Sequence, residues 1–580
     1  MREHIMVAAA LLGLALLLLA PAPASGFSVG FGRRSAHPAP RLEQWGLRAA
    51  SSPEALVPPD PTEVPATPGP AAESAAPEKK RWRRNRRRKK SKEKVEVTTV
   101  EQLYEEVDVN GRTLGELSVI GDCEHPLDHP TAEIIRRRVA EKSKPGQRAP
   151  GDDAVVALSF EGGGMRGCVG AGIAVGLWYS GVLDACDVVY GSSAGSLIGA
   201  YVVAQQGSYN FGPEIYYDML PLGGNSFINT AYFLRCVGLG AVSPRPNVLR
   251  ELFASRMGSP VLNLSYLLDR VVKQLKPLDF DLFWEANKKQ PLKIVASGLL
   301  SNQSVVLDSA AGNFGSLDEL TRCMWASMLL PGITGPAVRL NTKMAGTSVS
   351  QVPWLSWGEK WGSQHMSYAG EPLGDAMIFE PIPWRSAVKE GATHVIAART
   401  RPDGVSVVSK SSPIEKMLYR RWFSKKHKLP HMADHMVNQR HKVIYAEDVL
   451  RLNKESRKRS SLGNYDESEP HLLPIALPLG SEEIGRLEMG RKEIFEGVRR
   501  GFAAAYDQCH PDPQERGRGG IVAKEVFPDS ILDRLAEDSL PEGTYYDDLP
   551  GAASKEKEPK RGIFSRLFRR NKKEVVEEEA

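Results

Sequence analysis

The motif GSSAG, residues 191–195, holds a serine with a glycine two positions away on each side. An apolar stretch at 186–190 leads into it, and a small-residue, helix-forming stretch follows. Glycines at both ends permit a sharp strand-to-helix turn that pushes the middle side chain out at the start of the helix. The motif therefore predicts Ser193 as a nucleophile for acyl transfer, with Gly191 and Gly195 forming the turn. The same residues also occur in strand–helix turns without chemistry.

A glycine-rich loop lies upstream, at the end of another apolar stretch. It consists of Gly162, Gly163, Gly164, Met165, Arg166 and Gly167. Attack of a serine on an ester generates an oxyanion, which bare backbone N–H groups at a helix N-terminus can stabilise. The loop lacks the Lys-Ser/Thr ending of a P-loop and the G-x-G-x-x-G spacing of a dinucleotide site. It is therefore predicted to form an oxyanion hole. Arg166 has two interpretations, a salt bridge that fixes the loop, which we favour, or a contact to a phospholipid headgroup.

The elements around these motifs predict an α/β fold. Strands are indicated at 154–160 and 186–190, each followed by a helix, and again at Leu292–Gly298 and His394–Ala398. Helices are expected at Val248–Phe253, Leu262–Leu275 and, closing the domain, Arg486–Tyr506. Buried-type strands alternating with helices predict a three-layer α/β/α domain with a mainly parallel sheet, over residues 151–510. The active site would lie at the carboxyl ends of the strands.

The Gly-rich turn after one strand and G-x-S-x-G after the next resemble the start of patatin-like phospholipases. Their loop reads D-G-G-G-x-R-G, and here Glu161 stands where they have Asp. The segment 326–332 (ASMLLPG) resembles the family's small-residue helix leading to a proline. Asp375, followed at the usual distance by Pro383 and the strand at 394–398, resembles the family's D-G-G/A block, with Ala376 in place of the glycine.

The resemblance implies a Ser–Asp dyad, with Ser193 as nucleophile and Asp375 as base. It implies hydrolysis of carboxylic esters of membrane glycerolipids through an acyl-serine intermediate, without a metal or organic cofactor. A catalytically silent lipid-binding protein and a transacylase on the same fold remain alternatives.

Three other sets of residues are candidates for chemistry. Ser193, Asp375 and His394 follow the chain order of an α/β-hydrolase triad, but His394 opens an apolar strand, whereas the triad histidine should lie on a loop. Asp403 has a following glycine but lies beyond that strand. His427, His431 and His435 suggest zinc, yet Pro430 interrupts the helix that would align them, and a solvated cationic stretch is favoured.

The N-terminal leader and the C-terminal tail are predicted to be disordered, whereas ordered structure is expected to begin near residue 95. Residues 1–25, with an apolar run shorter than the about 20 residues of a spanning helix, are typical of a signal peptide. Residues 26–94 read as a transit-like, Pro/Ala-rich and finally polybasic segment, 95–150 as a lead-in, and 511–580 as a tail. The leader predicts entry into the secretory route and resembles the two-part leaders of proteins sent to plastids; secretion or an endomembrane lumen is an equally open alternative.

Charge and aromatic residues suggest peripheral contact with membranes. The net charge is only +5, but cations concentrate at 79–94 and in a basic amphipathic segment at 561–573. Both suit an anionic membrane surface, and no nucleic-acid partner is expected. Three of the ten tryptophans, Trp354, Trp357 and Trp361, lie in one insert that is either an interfacial lip or a folded-back loop. The six cysteines show no paired spacing and indicate reduced, interior residues.

Overall fold

Apolar strands from distant parts of the chain join in one sheet. The computed structural model describes residues 129–206, 212–229, 260–335, 338–339, 371–405 and 412–540. Its strands are β1 (Val156–Phe160), β2 (Val188–Ser192), β3 (Leu292–Gly298), β4 (Gln303–Leu307), β5 (Val338–Arg339), β6 (Pro372–Gly374), β7 (His394–Ala398) and β8 (His471–Ile475). The order across the sheet is β5-β6-β3-β2-β1-β7-β8, and β4 pairs with β3. The neighbouring strands β3, β2, β1, β7 and β8 pair parallel. Strands β4 and β6 pair antiparallel with β3, and β5 pairs antiparallel with β6.

Helices connect and cover these strands. They are α1 (Pro130–Ala140), α2 (Gly167–Tyr179), α3 (Ala194–Val203), α4 (Leu220–Phe227), α5 (Phe280–Asn287), α6 (Leu317–Met328), α7 (Trp384–Lys389), α8 (Pro413–Tyr419), α9 (Pro430–Val437), α10 (Arg440–Glu455), α11 (Arg491–Cys509), α12 (Gly519–Val526) and α13 (Ser530–Asp533), with a short helical turn at Gly212–Glu214. Wider π-helical turns occupy Ile215–Met219, Tyr266–Leu275 and Arg420–Lys426, and 3₁₀ turns occupy Gly164–Arg166, Leu183–Ala185, Ala376–Ile378, Ser460–Leu462, Pro513–Glu515 and Ala536–Ser539.

The sheet is buried on both faces, which explains why its parallel strands are apolar throughout. Val156, Leu158 and Phe160 of β1 enter one core together with residues of α2, α3 and α11. Ala157, between them, enters a second core with residues of α7 and α10 on the opposite face. This alternation is the period of two expected of a strand covered on both sides. The predicted three-layer α/β/α architecture with a mainly parallel sheet is confirmed.

Strand β6 pairs with β3 on the same edge as β2, just beyond the point where β2 ends. Ser297 of β3 pairs with Ser304 of β4 and also with Gly374 of β6, so β4 and β6 must lie on opposite edges of β3. Ile294 pairs with Leu307 of β4 and with β2. Strand β2 and strand β6 therefore share one edge of β3, one after the other. Because β2 ends at its turn into α3, the chain that follows β6 arrives directly opposite that turn.

The strands predicted at Leu292–Gly298 and His394–Ala398 are confirmed with these bounds. The closing helix is confirmed but begins at Arg491 rather than at residue 486. The boundary predicted at residue 510 is wrong, because α12 and the chain after it put Val522, Ala523 and Phe527 into the main core. Arg499 also donates from Nε to the carbonyl oxygen of Phe527 at 2.8 Å. A few apolar residues in a polar segment thus extend the ordered domain to residue 540.

Several predictions fall on residues that the structure does not describe. They concern the signal and transit-like segments, the basic runs at 79–94 and 561–573, the helix at 248–253 and the tryptophan insert. Among the residues that are described, no helix combines the length and the apolar character needed to cross a membrane.

Candidate active site

Ser193 occupies a strained turn between β2 and α3. Its backbone has φ 50° and ψ −121°, a conformation that a residue other than glycine rarely adopts. A Cβ on Gly195 would lie 2.2 Å from the carbonyl oxygen of Phe160, and one on Gly191 would lie 2.5 Å from that of Gly195. Only glycine fits at both positions, so the turn can be this tight. The predicted nucleophile-elbow geometry is therefore present.

A buried hydroxyl supports the turn from the neighbouring helix. The backbone N–H of Ser193 donates to Ser327 Oγ at 2.7 Å, and the Ser327 hydroxyl donates to the carbonyl oxygen of Val295 in β3. Ser192 Oγ donates to the carbonyl oxygen of Glu380 at 2.8 Å. The sequence gives Ser327 only as part of a small-residue helix end, and no sequence signal indicated that it contacts Ser193.

Asp375 follows β6 and faces Ser193. The two atoms Ser193 Oγ and Asp375 Oδ2 are 3.3 Å apart, with the hydroxyl as donor. The other carboxylate oxygen accepts from the Met377 N–H at 2.9 Å, and the Asp375 N–H donates to the carbonyl oxygen of Leu329 at 2.7 Å. Leu329 comes two residues after Ser327, so the end of α6 contacts the backbones of both Ser193 and Asp375.

Burial controls the ionisation of Asp375. The residue is 8% exposed, and the loss of solvation raises the pKa of its carboxyl to about 6. The hydrogen bonds from Met377 and Ser193 and the positive charge of Arg486 oppose this rise but do not cancel it. A carboxylate with this pKa is ionised at neutral pH and is a stronger base than an ordinary aspartate.

Two backbone N–H groups of the glycine loop are available to a ligand. The N–H groups of Gly162 and Met165 are not among them, because they donate to the carbonyl oxygens of Pro381 and Arg486, each at 3.1 Å. The N–H groups of Arg166 and Gly167 are bonded within the loop itself. Those of Gly163 and Gly164 donate to no residue that the structure describes. A Cβ on Gly162 would lie 2.9 Å from that of Ser193, so the loop passes directly beside the serine.

Glu161, at the position where patatin-like phospholipases have Asp, immediately precedes the glycine loop and is fixed by two hydrogen bonds. Its carboxylate accepts from the Thr400 N–H at 2.6 Å and from Tyr445 Oη at 2.7 Å, and the residue is 1% exposed. Thr400 Oγ1 in turn lies 3.4 Å from the carbonyl oxygen of Gly162, to which it donates. The longer side chain thus reaches one donor just after β7 and a second donor on α10.

Three arginines surround the loop, and two of them, Arg166 and Arg401, share the carboxylate of Glu483. Arg166 forms an ion pair with Glu483, as its structural interpretation predicted, and Arg401 Nε lies 3.3 Å from the same Glu483 oxygen. Arg486 lies against the loop, because a Cβ on Gly164 would be 2.8 Å from its carbonyl oxygen. Arg486 is exposed, and its guanidinium forms no hydrogen bond or ion pair with the described residues. A net positive charge therefore borders the free N–H groups.

The alternative catalytic residues lie elsewhere. His394 begins β7 and pairs with Val156, at the end of the sheet opposite to Ser193. A five-residue strand separates these ends by about 13 Å. Asp403 is buried and forms an ion pair with Arg399 at 2.6 Å. It is therefore occupied as a structural partner.

The three histidines of the zinc hypothesis do not form a cluster that could hold a metal. His431 and His435 donate from Nε2 to the carbonyl oxygens of Leu299 and Ile378, at 2.8 and 3.3 Å. Within the described ranges, no group of three or more His, Cys, Asp or Glu residues is arranged to bind a metal ion. The four cysteines described, Cys168, Cys186, Cys323 and Cys509, are buried and form no disulfide, in agreement with the interior role predicted for them.

Comparison with known proteins agrees with the motifs. The family model described as patatin-like phospholipase matches residues 158–387, a range that includes the glycine loop, Ser193 and Asp375. A comparison with curated proteins finds no match. The crystal structure of VipD from Legionella pneumophila is similar over 63% of this chain and 69% of that chain, with 12% identity and a TM-score of 0.28.

Residues 158–387 thus belong to a domain of the patatin-like phospholipase family. The resemblance inferred from the motifs is confirmed, and the chain is in general terms a lipid acyl hydrolase, an enzyme that cleaves lipid esters.

Proposed function

We propose that this protein hydrolyses carboxylic esters of membrane glycerolipids with a Ser193–Asp375 dyad. The Ser193 oxygen attacks the ester carbonyl carbon while its proton passes to Asp375 Oδ2. The resulting oxyanion accepts hydrogen bonds from the N–H groups of Gly163 and Gly164. Collapse of this intermediate expels the lipid alcohol, which takes the proton from Asp375, and leaves an acyl group on Ser193.

Water then completes the cycle. A water molecule gives a proton to Asp375 and attacks the acyl carbonyl, so that a second oxyanion forms at the same two N–H groups. Its collapse releases the fatty acid, and the proton on Asp375 returns to the Ser193 oxygen. Each proton taken up by the carboxylate is released within the same half-reaction.

The observation that carries this proposal is the 3.3 Å contact between Ser193 Oγ and Asp375 Oδ2 at a strained turn. A positive φ at a serine is costly, by on the order of 1–3 kcal/mol, and such strain is concentrated at functional sites. The carboxylate has no competing cation bonded to it among the described residues, and its other oxygen is fixed by Met377. This arrangement suits a direct proton transfer without an intervening histidine.

The loop also supports the dyad. The two unbonded N–H groups lie beside the serine, and donors of this kind typically contribute 10²–10³ in rate. Stabilisation of the oxyanion lowers the barrier for attack, which compensates for a base whose pKa, about 6, lies far below that of a serine hydroxyl.

The arginines around the loop favour a headgroup that carries a phosphate. Among the residues that the structure describes, only Glu483 is within ion-pair distance of Arg166 and Arg401, and Arg486 has no such partner. A guanidinium without a carboxylate partner can bind phosphate oxygens through two N–H groups at once. We infer a preference for phospholipids over galactolipids and neutral acylglycerols.

Lipid profiling tests the proposal directly. Purified protein is incubated with mixed vesicles of phospholipid, galactolipid and diacylglycerol, and the released fatty acids and lysolipids are quantified by mass spectrometry. We expect fatty acid and the matching lysolipid in equal amounts, and neither product with Ser193→Ala. Acyl transfer to an added alcohol without release of fatty acid would instead identify a transacylase.

A further inference from the structure

A helical excursion between β7 and β8 presents one apolar and one cationic side. It comprises α8, the π-helical turn Arg420–Lys426 and α9. Its apolar side chains Tyr419, Phe423, Leu429, Met432, Ala433 and Met436 are buried in one cluster with Leu299, Ile378 and Phe379. The buried and exposed residues alternate with helical spacing, which is the pattern of an amphipathic helix packed on a domain.

The other side of this excursion is covered with cations. Lys416, Arg420, Arg421, Lys425, Lys426 and Lys428 are all exposed, and we call these six residues the cationic face. None of them forms an ion pair with a carboxylate in the described ranges. The nearby Glu415 is engaged in the capping box of α8 with Ser412. Unpaired like charges repel one another, so this density of cations weakens the fold unless an anionic partner is bound.

The cationic face is attached to the segment that carries the catalytic carboxylate. Ile378 and Phe379, three and four residues after Asp375, pack against the buried side of the excursion. His435 donates to the carbonyl oxygen of Ile378 and stacks edge-on against Phe379, with ring centroids 4.9 Å apart. One helix, about 10 Å across, therefore separates the cationic face from the loop of Asp375.

Exposed apolar side chains accompany these charges. Met417, on the same helix, is 42% exposed, and Leu300, next to the buried Leu299, is 53% exposed. Lys426 lies over the ring of Trp422, with Nζ 5.7 Å from the centroid. Cations interspersed with apolar groups are typical of proteins that lie on lipid headgroups, where the charges meet phosphates and the apolar groups enter the acyl boundary.

We propose that the cationic face binds an anionic membrane surface and holds the active site against the bilayer. A bilayer fits better than a nucleic acid, because apolar side chains beside the cations gain free energy in a membrane and none in a phosphate groove. The proposal is separate from the dyad, since membrane binding does not require turnover. It also differs from binding by the basic runs at 79–94 and 561–573, which lie outside the described residues.

The test measures binding with the full chain carrying Ser193→Ala, so that no lipid is consumed. The variant K416Q/R420Q/R421Q/K425Q/K426Q removes five charges of the cationic face. The matched control K289Q/K389Q/K454Q/K492Q/K524Q removes five exposed lysines elsewhere on the domain. Both sets of substitutions are also made in a chain with glutamine at every Lys and Arg of 79–94 and 561–573. In that chain the basic runs cannot replace membrane binding that is lost from the cationic face. Binding is measured by sedimentation with vesicles of phosphatidylcholine and phosphatidylglycerol in equal amounts, and with phosphatidylcholine alone.

We expect the five substitutions in the cationic face to weaken binding to the anionic vesicles by at least roughly tenfold, because each cation near an anionic surface contributes to affinity. The lysine control should bind as the parent does, and both variants should keep the thermal unfolding midpoint of the parent. Equal binding by the two variants in the chain without basic flanks would overturn the proposal. Loss of binding to single-stranded RNA with unchanged vesicle binding would also overturn it and assign the face to nucleic acid.

Discussion

The backbone N–H of Ser193 and the hydroxyl of Ser327 are joined by a 2.7 Å hydrogen bond across the junction between β2 and α6. Ser327 is fully buried, and its hydroxyl donates a hydrogen bond to the carbonyl oxygen of Val295 in β3. The strained backbone of Ser193 is thus held by a partner from a different element.

Ser327→Ala should lower turnover and stability together. It leaves the buried Ser193 N–H without an acceptor, which costs about 1–3 kcal/mol, and it loosens the turn that aims the nucleophile. The control is Ser297→Ala, because the Ser297 hydroxyl is buried nearby without a partner among the described residues. Urea denaturation and ester hydrolysis should show a loss for the first variant and little change for the second. Equal effects would mean that the bond to Ser327 has no special role.

The pH profile should report the buried carboxylate. Because burial raises the pKa of Asp375 to about 6, kcat/KM should be level above pH 7 and decrease about tenfold per unit well below the pKa. Recording the profile at two temperatures distinguishes a carboxyl from an imidazolium, because the enthalpy of ionisation is small for a carboxyl and large for an imidazolium. An acid limb that moves strongly with temperature would indicate a histidine instead.

Asp375→Asn should stabilise the protein while it removes activity. The rise of the carboxyl pKa from 3.8 to about 6 means that the folded state opposes ionisation. At about pH 8 this costs the wild type on the order of 2–3 kcal/mol, and the cost shrinks as pH falls through about 6 towards 4. Asparagine avoids the cost and can still accept from Met377. Denaturation at about pH 8 and about pH 5 should therefore show a gain that is larger at the higher pH. A variant less stable than the wild type at both values would contradict the burial of a charged base.

Arg486→Gln should change headgroup preference. Loss of a charged donor beside the loop should lower kcat/KM for phospholipid by roughly tenfold or more while galactolipid is affected much less. Arg518→Gln, at an arginine paired with Glu515 in the C-terminal segment, serves as the control. Competition by inorganic phosphate in the wild type, measured alongside, separates binding of a lipid phosphate from binding of any phosphate. An equal loss on both lipids would limit Arg486 to supporting the loop and the charge of Asp375.

The sequence predicts those parts of the site that depend on local geometry. The glycines at 191 and 195 specify a tight turn, and the apolar runs at 292–298 and 394–398 specify buried strands; the structure agrees with both. Asp375 is predicted only through a family resemblance, because no local pattern reveals that β6 pairs with β3 on the same edge as β2, just beyond the end of β2. The contact of Ser327 with Ser193 spans 134 residues and depends on the packing of α6, so no spacing rule could find it. The extension of the domain to residue 540 was missed for the same reason, since Phe527 is buried by α11 rather than by its own segment.

Activation of Ser193 by Asp375 without a histidine can be measured through the burst of alcohol that is released when the acyl-enzyme forms. Stopped-flow measurements with a chromogenic medium-chain ester compare the wild type with Ser193→Ala, Asp375→Asn and His394→Ala. We expect a burst in the wild type and in His394→Ala, and none in Ser193→Ala or Asp375→Asn, although Asp375→Asn remains folded. A burst in Asp375→Asn together with its loss in a folded His394→Ala would contradict the dyad.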